Sequence, residues 1–223
     1  MVWEQNTPCV VMLTQFEEVL TNASGKTYVK EKSFRYLPQD PSDAPHAYGE
    51  FVVECLDRVA LAPGLARRRL AVKRASAVAL PDGEERASLA AAAATAAAET
   101  RFVEHIHFTA WPDFGCVSAD DMKTLFLALD AMRTAAVDAK RGAPPLAALD
   151  GPPVLHCSAG IGRSGAFAAV ALVQMQVEAD RARDIDVLDI VTRLRNERPG
   201  MVQSVSQYEM IYDALAYTLG LER

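Results

Sequence analysis

Residues 156–165 of the chain read HCSAGIGRSG and follow the short apolar run 153–155. Cys157 and Arg163 bracket Ser158, Ala159, Gly160, Ile161 and Gly162. The two glycines let the backbone curl so that successive N–H groups aim at one centre, which makes an oxyanion nest. The apolar stretch 165–173 reads as a buried helix beginning near Arg163, with its positive end at the same centre. A cysteine in that position is expected to be a thiolate, because a helix N-terminus and nearby cations lower a thiol from about 8.5 to roughly 3.5–7.5. The chemistry open to these residues is attack of the Cys157 sulfur on phosphorus while Arg163 forks onto two phosphate oxygens. His156 is placed to orient the loop and help hold the thiolate. Ser164 is placed to donate a hydrogen bond to the sulfur, which helps it leave a phosphocysteine. The plainer alternative, a small buried thiol before an ordinary strand-to-helix turn, leaves His156 and Ser164 without a role.

Attack on an aryl phosphate needs a proton for the leaving oxygen, and WPDFG (111–115) supplies a carboxyl. The run 101–110, with Phe102, His105 or Ile106, and Phe108, reads as a strand ending before Pro112. Asp113 then falls on a loop, and Gly115 gives that loop freedom to open and close. Standing alone, Pro-Asp-x-Gly also describes a surface turn. Further on, Val187, Ile190, Val191 and Leu194 recur at helical spacing after Asp186, a fitting N-cap, and Pro199-Gly200 ends that helix. Gln203 lands on the following turn. A neutral amide there can hold an attacking water without competing for the phosphate. Gln203 and Gln207, four residues apart, equally describe a solvated helix face.

Together, HCSAGIGRSG, HFTAWPDFG (107–115) and RNERPGMVQSVSQY (195–208) resemble the tyrosine-specific protein phosphatases that use a cysteine nucleophile. MVWEQNTPCVVMLT (1–14) and EKSFRYLP (31–38) resemble that family more loosely, so that the likeness runs through nearly the whole chain. It implies a single α/β domain over residues 1–223, with a twisted mixed β-sheet flanked by α-helices. It also implies two-step hydrolysis of phosphotyrosine in proteins through a phosphocysteine, with no metal or organic cofactor. By the resemblance Cys157 is the nucleophile, Arg163 the phosphate binder, Ser164 the partner of the thiolate, and Asp113 the general acid and later base. Gln203 and Gln207 manage water, and Trp111, beside Pro112, anchors the hinge of the moving loop. Glu18 matches the carboxylate that pairs with the loop arginine, although an insertion follows it here, and Lys32 matches a substrate-side lysine.

The departures from the family pattern carry expectations too. Ser33 stands where the family commonly has Cys, and Leu37 where it has Trp. Gly115-Cys116-Val117 lacks the stiffening Pro of the family's loop, so looser closure is expected. Relatives carry a substantial segment before the MVWE motif, including a loop whose Tyr stacks on phosphotyrosine. A domain truncated or shortened at its N-terminal side is therefore expected. That opens two other readings: a phosphatase of broader specificity, and a phosphotyrosine-binding module that does not turn over.

The chain has 223 residues, half of them hydrophobic, which is enough to bury a sizeable core. A net charge of −6 and a pI near 5.3 argue against nucleic acid as a partner, and the resemblance implies phosphotyrosine-containing proteins instead. The four cysteines, Cys9, Cys55, Cys116 and Cys157, have spacings of neither a disulfide framework nor a metal site. They fit a reducing, cytoplasmic setting. No stretch reaches the ~18 apolar residues of a membrane helix, and the start lacks the basic residues of a signal peptide. The sequence assigns no oligomeric state. ARRRLAVKRA (66–75) reads as a solvated strand face or as a basic rim for acidic phosphopeptides. ASLAAAAATAAA (87–98) reads as a low-complexity insertion between strands, and 141–153 as a Pro-rich connector.

Overall fold

A computed structural model describes residues 1–22, 24–74, 99–111, 115–118, 121–141, 149–179 and 185–221. The Ala-rich run 87–98, Pro112, Asp113 and residues 142–148 of the connector lie outside them. The strands are β1 (Cys9–Met12), β2 (Glu17–Thr21), β3 (Thr27–Glu31), β4 (His46–Tyr48), β5 (Phe51–Ala62), β6 (Leu65–Arg74), β7 (Glu99–Phe108) and β8 (Val154–His156). The helices are α1 (Met122–Lys140), α2 (Gly162–Ala179), α3 (Val187–Glu197) and α4 (Val205–Leu219). Six strands form a mixed sheet in the order β4–β5–β6–β7–β1–β8, so the chain is of the α/β class expected from its sequence. Among the described residues no helix is long and apolar enough to cross a membrane.

The contacts divide the chain into two compact units. The first comprises Met1–Val11, Phe34–Ile106 and Asp130–Val154. There β5 pairs antiparallel with both β4 and β6, and Leu37, Cys55 and Leu70 form a buried cluster covered by Tyr36 and Val53. Leu37, which departs from the family pattern, is thus a core residue.

The arginine-rich strand β6 differs from both sequence readings. Alternation places Arg68 on the face of Leu70, and its side chain is 3% exposed. Its Nε donates to the Gln39 carbonyl at 2.8 Å, which makes that burial tolerable. On the other face Arg69 pairs with Glu104 at 2.9 Å and Arg67 with Asp57 at 3.6 Å. Lys73 and Arg74 pair with Glu54 and Glu50. The cations are matched by carboxylates, so the strand is neither a simply solvated face nor an open basic rim.

The second unit comprises Met12–Ser33, His107–Leu129 and the chain from Leu155 onward. Helix α2 packs against α3 and α4 and buries Ala166, Phe167, Ala169, Val170 and Val173 completely. Each large apolar side chain so buried contributes about 1.5–3 kcal/mol. Helix α3 starts where its sequence says: the Asp186 carboxylate accepts the Asp189 N–H at 2.9 Å, and Val187, Ile190 and Val191 are buried. The insertion after Glu18 is the antiparallel hairpin β2–β3, in register from Glu17↔Glu31 to Thr21↔Thr27. Its turn is closed by the Asn22 side chain, which accepts the N–H groups of Ser24 and Lys26. Residues 103–108 of strand β7 are all buried, the pattern of a strand covered on both faces and not of one that alternates.

Candidate active site

All of the described candidate residues belong to the second unit. Strand β8 delivers the cysteine loop: the Leu13 N–H donates to the His156 carbonyl at 2.9 Å, which fixes the strand end directly before Cys157. Ser158, Ala159, Gly160 and Ile161 turn the chain from there into α2 at Gly162. Gly160 has φ +72°, a conformation that a side chain would strain. This twist turns the Gly160 N–H back onto the Cys157 sulfur at 3.2 Å.

Cys157 is 6% exposed, and burial by itself would push its thiol up. The Ser164 hydroxyl, the Ser164 and Gly160 amides and the Arg163 charge outweigh that, and hold the group below its ordinary value. The Ser164 hydroxyl is buried and is among the groups that favour the thiolate over the thiol. His156 turns its Nδ1 to the Cys157 carbonyl at 3.1 Å. Because a carbonyl only accepts, Nδ1 carries the proton, and burial lowers the imidazole's pKa despite this bond. His156 therefore braces the loop backbone.

Arg163 is 2% exposed, and its Nη1 donates to the Glu18 Oε1 at 3.2 Å and to the Trp111 carbonyl at 3.1 Å. Glu18 accepts a bond from the Thr14 hydroxyl at 3.4 Å, and its Oε2 lies 3.3 Å from the Lys32 Nζ. The carboxylate at the base of the hairpin thus orients the loop arginine. Lys32, also buried, is its second cation.

Trp111 is 1% exposed, its ring lies 6.2 Å from that of Phe108, and its Nε1 donates to the Gly115 carbonyl at 3.1 Å. The carbonyl of Gly115 also accepts the Gln207 Nε2 at 3.4 Å. Both ends of the segment carrying Asp113 are therefore tied to the arginine and to α4. Gln203 precedes α4, whose N-cap Ser204 accepts the Gln207 N–H. The Gln203 N–H donates to the Gln207 Oε1 at 2.9 Å. The side-chain amides of both glutamines lie 3.1 Å from where a Cβ would stand at Gly162, so they border the loop. Gln203 is exposed and Gln207 buried.

Residues that sequence reasoning did not single out also hold the loop. Arg198 donates to the Ala159 carbonyl at 3.2 Å, and the Val202 N–H to the Ile161 carbonyl at 3.1 Å. The only sequence signal for them was their place just beyond a helix end. Among the described residues no three His, Cys, Asp or Glu side chains gather as metal ligands would.

The protein-tyrosine phosphatase family model matches residues 1–217. Tyrosine-protein phosphatase 2 of Dictyostelium discoideum is 30% identical over 97% of this chain and 46% of its own length. Human tyrosine-protein phosphatase non-receptor type 7 is 32% identical, over 99% of this chain and 48% of its own. Human receptor-type tyrosine-protein phosphatase epsilon is 31% identical, over 96% of this chain and 24% of its own. The chain spans about half the length of the first two relatives and about a quarter of the third. The match extends well beyond the cysteine loop to the strands and helices that position it, and the chain belongs to the protein-tyrosine phosphatase family.

Proposed function

We propose that this chain hydrolyses phosphotyrosine in proteins through a phosphocysteine. The observation that carries the reading is the Cys157 sulfur, held below the ordinary thiol value on the same loop as the buried Arg163. A module that merely binds phosphate has no use for a stabilised thiolate.

In the first step the Cys157 sulfur forms a bond to phosphorus as the bond from phosphorus to the tyrosyl oxygen breaks. Asp113 gives its proton to that oxygen, and tyrosine leaves neutral. Arg163 and the loop amides hold the phosphoryl oxygens as their charge redistributes. In the second step a water held by Gln203 loses a proton to the Asp113 carboxylate while its oxygen bonds phosphorus. The sulfur–phosphorus bond then breaks, phosphate departs, and the thiolate returns with a hydrogen bond from Ser164. Gln207 sets the position of Gln203. The chemistry calls on no metal or organic cofactor, and the partners are phosphotyrosine proteins in a compartment that keeps thiols reduced.

The test is a comparison of matched phosphotyrosine and phosphoserine peptides, with release of phosphate as the readout. Turnover of the first and at least a hundredfold less of the second is expected, on the order of what a site built around one leaving group achieves. Equal rates would reverse the tyrosine assignment.

A further inference from the structure

The turn that joins α3 to α4 is strained. Gly200 has φ +84° and Val202 φ +59°. Glycine adopts such values freely, but a β-branched residue does so only when its surroundings hold it there. Val202 is 1% exposed, and its N–H donates to the Ile161 carbonyl, which also takes the Gly165 N–H at 3.0 Å. A Cβ at Gly165 would stand 2.5 Å from the Val202 nitrogen, so turn and loop meet backbone to backbone.

Arg195, in the last turn of α3, supplies the other restraint. Its Nε donates to the Met201 carbonyl at 2.9 Å and its Nη2 to the Val202 carbonyl at 2.8 Å. One planar fork therefore fixes two successive peptide groups, which the single ammonium of a lysine does not reproduce. The next residue is Gln203, whose amide borders the loop at Gly162. The thiolate and Arg163 are held by other groups: Gly160, Ser164, Glu18 and Trp111.

We infer that Arg195 is a positioning residue for the second chemical step: by clamping the strained turn at Met201 and Val202 it places Gln203 to hold the water that attacks the phosphocysteine. This rests on the function proposed above. Removal of the fork is expected to let the turn relax and move Gln203, while formation of the phosphocysteine continues.

The test uses the full chain, p-nitrophenyl phosphate and rapid mixing. For Arg195→Met we expect a burst of about one nitrophenol per chain, followed by a steady rate about 10²-fold below the parent's, the usual cost of misplacing a reacting group by roughly 1 Å. Acid quenching should trap phosphate on Cys157, and kcat/KM should stay within a few-fold of the parent's, so that KM falls with kcat. Arg195→Lys should lie between the two. It keeps the charge and one hydrogen bond, and carries the test by the same burst should Arg195→Met not fold. Equal losses in kcat and kcat/KM without a burst, or unchanged kinetics, would overturn the inference. Gln203→Ala separates the two levels. A burst there but in neither Arg195 variant overturns only the assignment of Arg195. No burst there overturns the water-holding role of Gln203 and this inference with it.

Discussion

Arg163 meets Glu18 through one hydrogen bond, Nη1 to Oε1 at 3.2 Å, while the other oxygen of the same carboxylate lies 3.3 Å from the Lys32 Nζ. The three side chains are 2%, 14% and 3% exposed, so one carboxylate stands between two shielded cations. This shared carboxylate ties the loop arginine to the base of the hairpin.

Glu18→Gln should therefore damage both stability and binding. The amide removes the carboxylate that bridges these two buried cations, and breaking a buried pair in this way costs about 3 kcal/mol. Urea unfolding should show a lower midpoint at unchanged slope, and phosphate should inhibit more weakly. An unchanged midpoint and inhibition constant would mean that Glu18 does not organise Arg163.

The lowered Cys157 pKa predicts a pH profile. Because the folded value is depressed, the thiolate persists as pH falls below the ordinary thiol value of about 8.5, and disappears only when pH falls through the folded value. The associated stability is fully present above the unfolded value and is lost on the same descent. Alkylation of Cys157 by iodoacetamide should thus reach half its maximal rate at lower pH in the folded chain than in the urea-unfolded chain. Ser164→Ala should move that point upward. Coincident folded and unfolded profiles would contradict the stabilised thiolate.

Much of this site was legible because its parts obey local rules. The glycine spacing of HCSAGIGRSG foretold a loop running into a helix, Asp186 foretold an N-cap, and Pro199-Gly200 foretold a turn before Gln203. The clamps by Arg195 and Arg198 were not legible, since a guanidinium on a distant carbonyl leaves no periodic trace in a sequence. The continuous burial of β7 was hidden by its polar letters. The Nε2 of His105 meets the Tyr36 hydroxyl and that of His107 the Thr14 carbonyl, each at 2.8 Å, and both side chains are buried as core residues are. Arg68 escaped for a similar reason, because the acceptor that admits it is a backbone carbonyl of Gln39.

Peroxide should oxidise Cys157 before the other buried thiols. Burial, and then the Glu104 charge, push Cys9 up to about 12, and burial also raises Cys55. Thiols so shifted are not thiolates at neutral pH and react slowly. Activity should return on reduction, and vanadate should protect. Mass spectra that place the first oxidation on Cys9 or Cys55 would contradict the order.

Asp113→Ala should slow hydrolysis of a phenolic phosphate by about 10²–10⁴, the range for a positioned general acid. The loss should shrink as the leaving group becomes acidic enough to depart without a proton. Equal losses across a series of aryl phosphates would remove Asp113 from the role of acid.

Whether Cys157 carries the phosphoryl group is read by acid-quenched mass spectrometry on a phosphotyrosine peptide reaction. One added phosphoryl group is expected on the tryptic peptide containing Cys157, and its absence, together with all turnover, in Cys157→Ser, which should still bind vanadate through Arg163 and the loop amides. Turnover of the peptide with no covalent phosphate on Cys157, and a Cys157→Ser variant within a few-fold of the parent rate, would contradict this expectation.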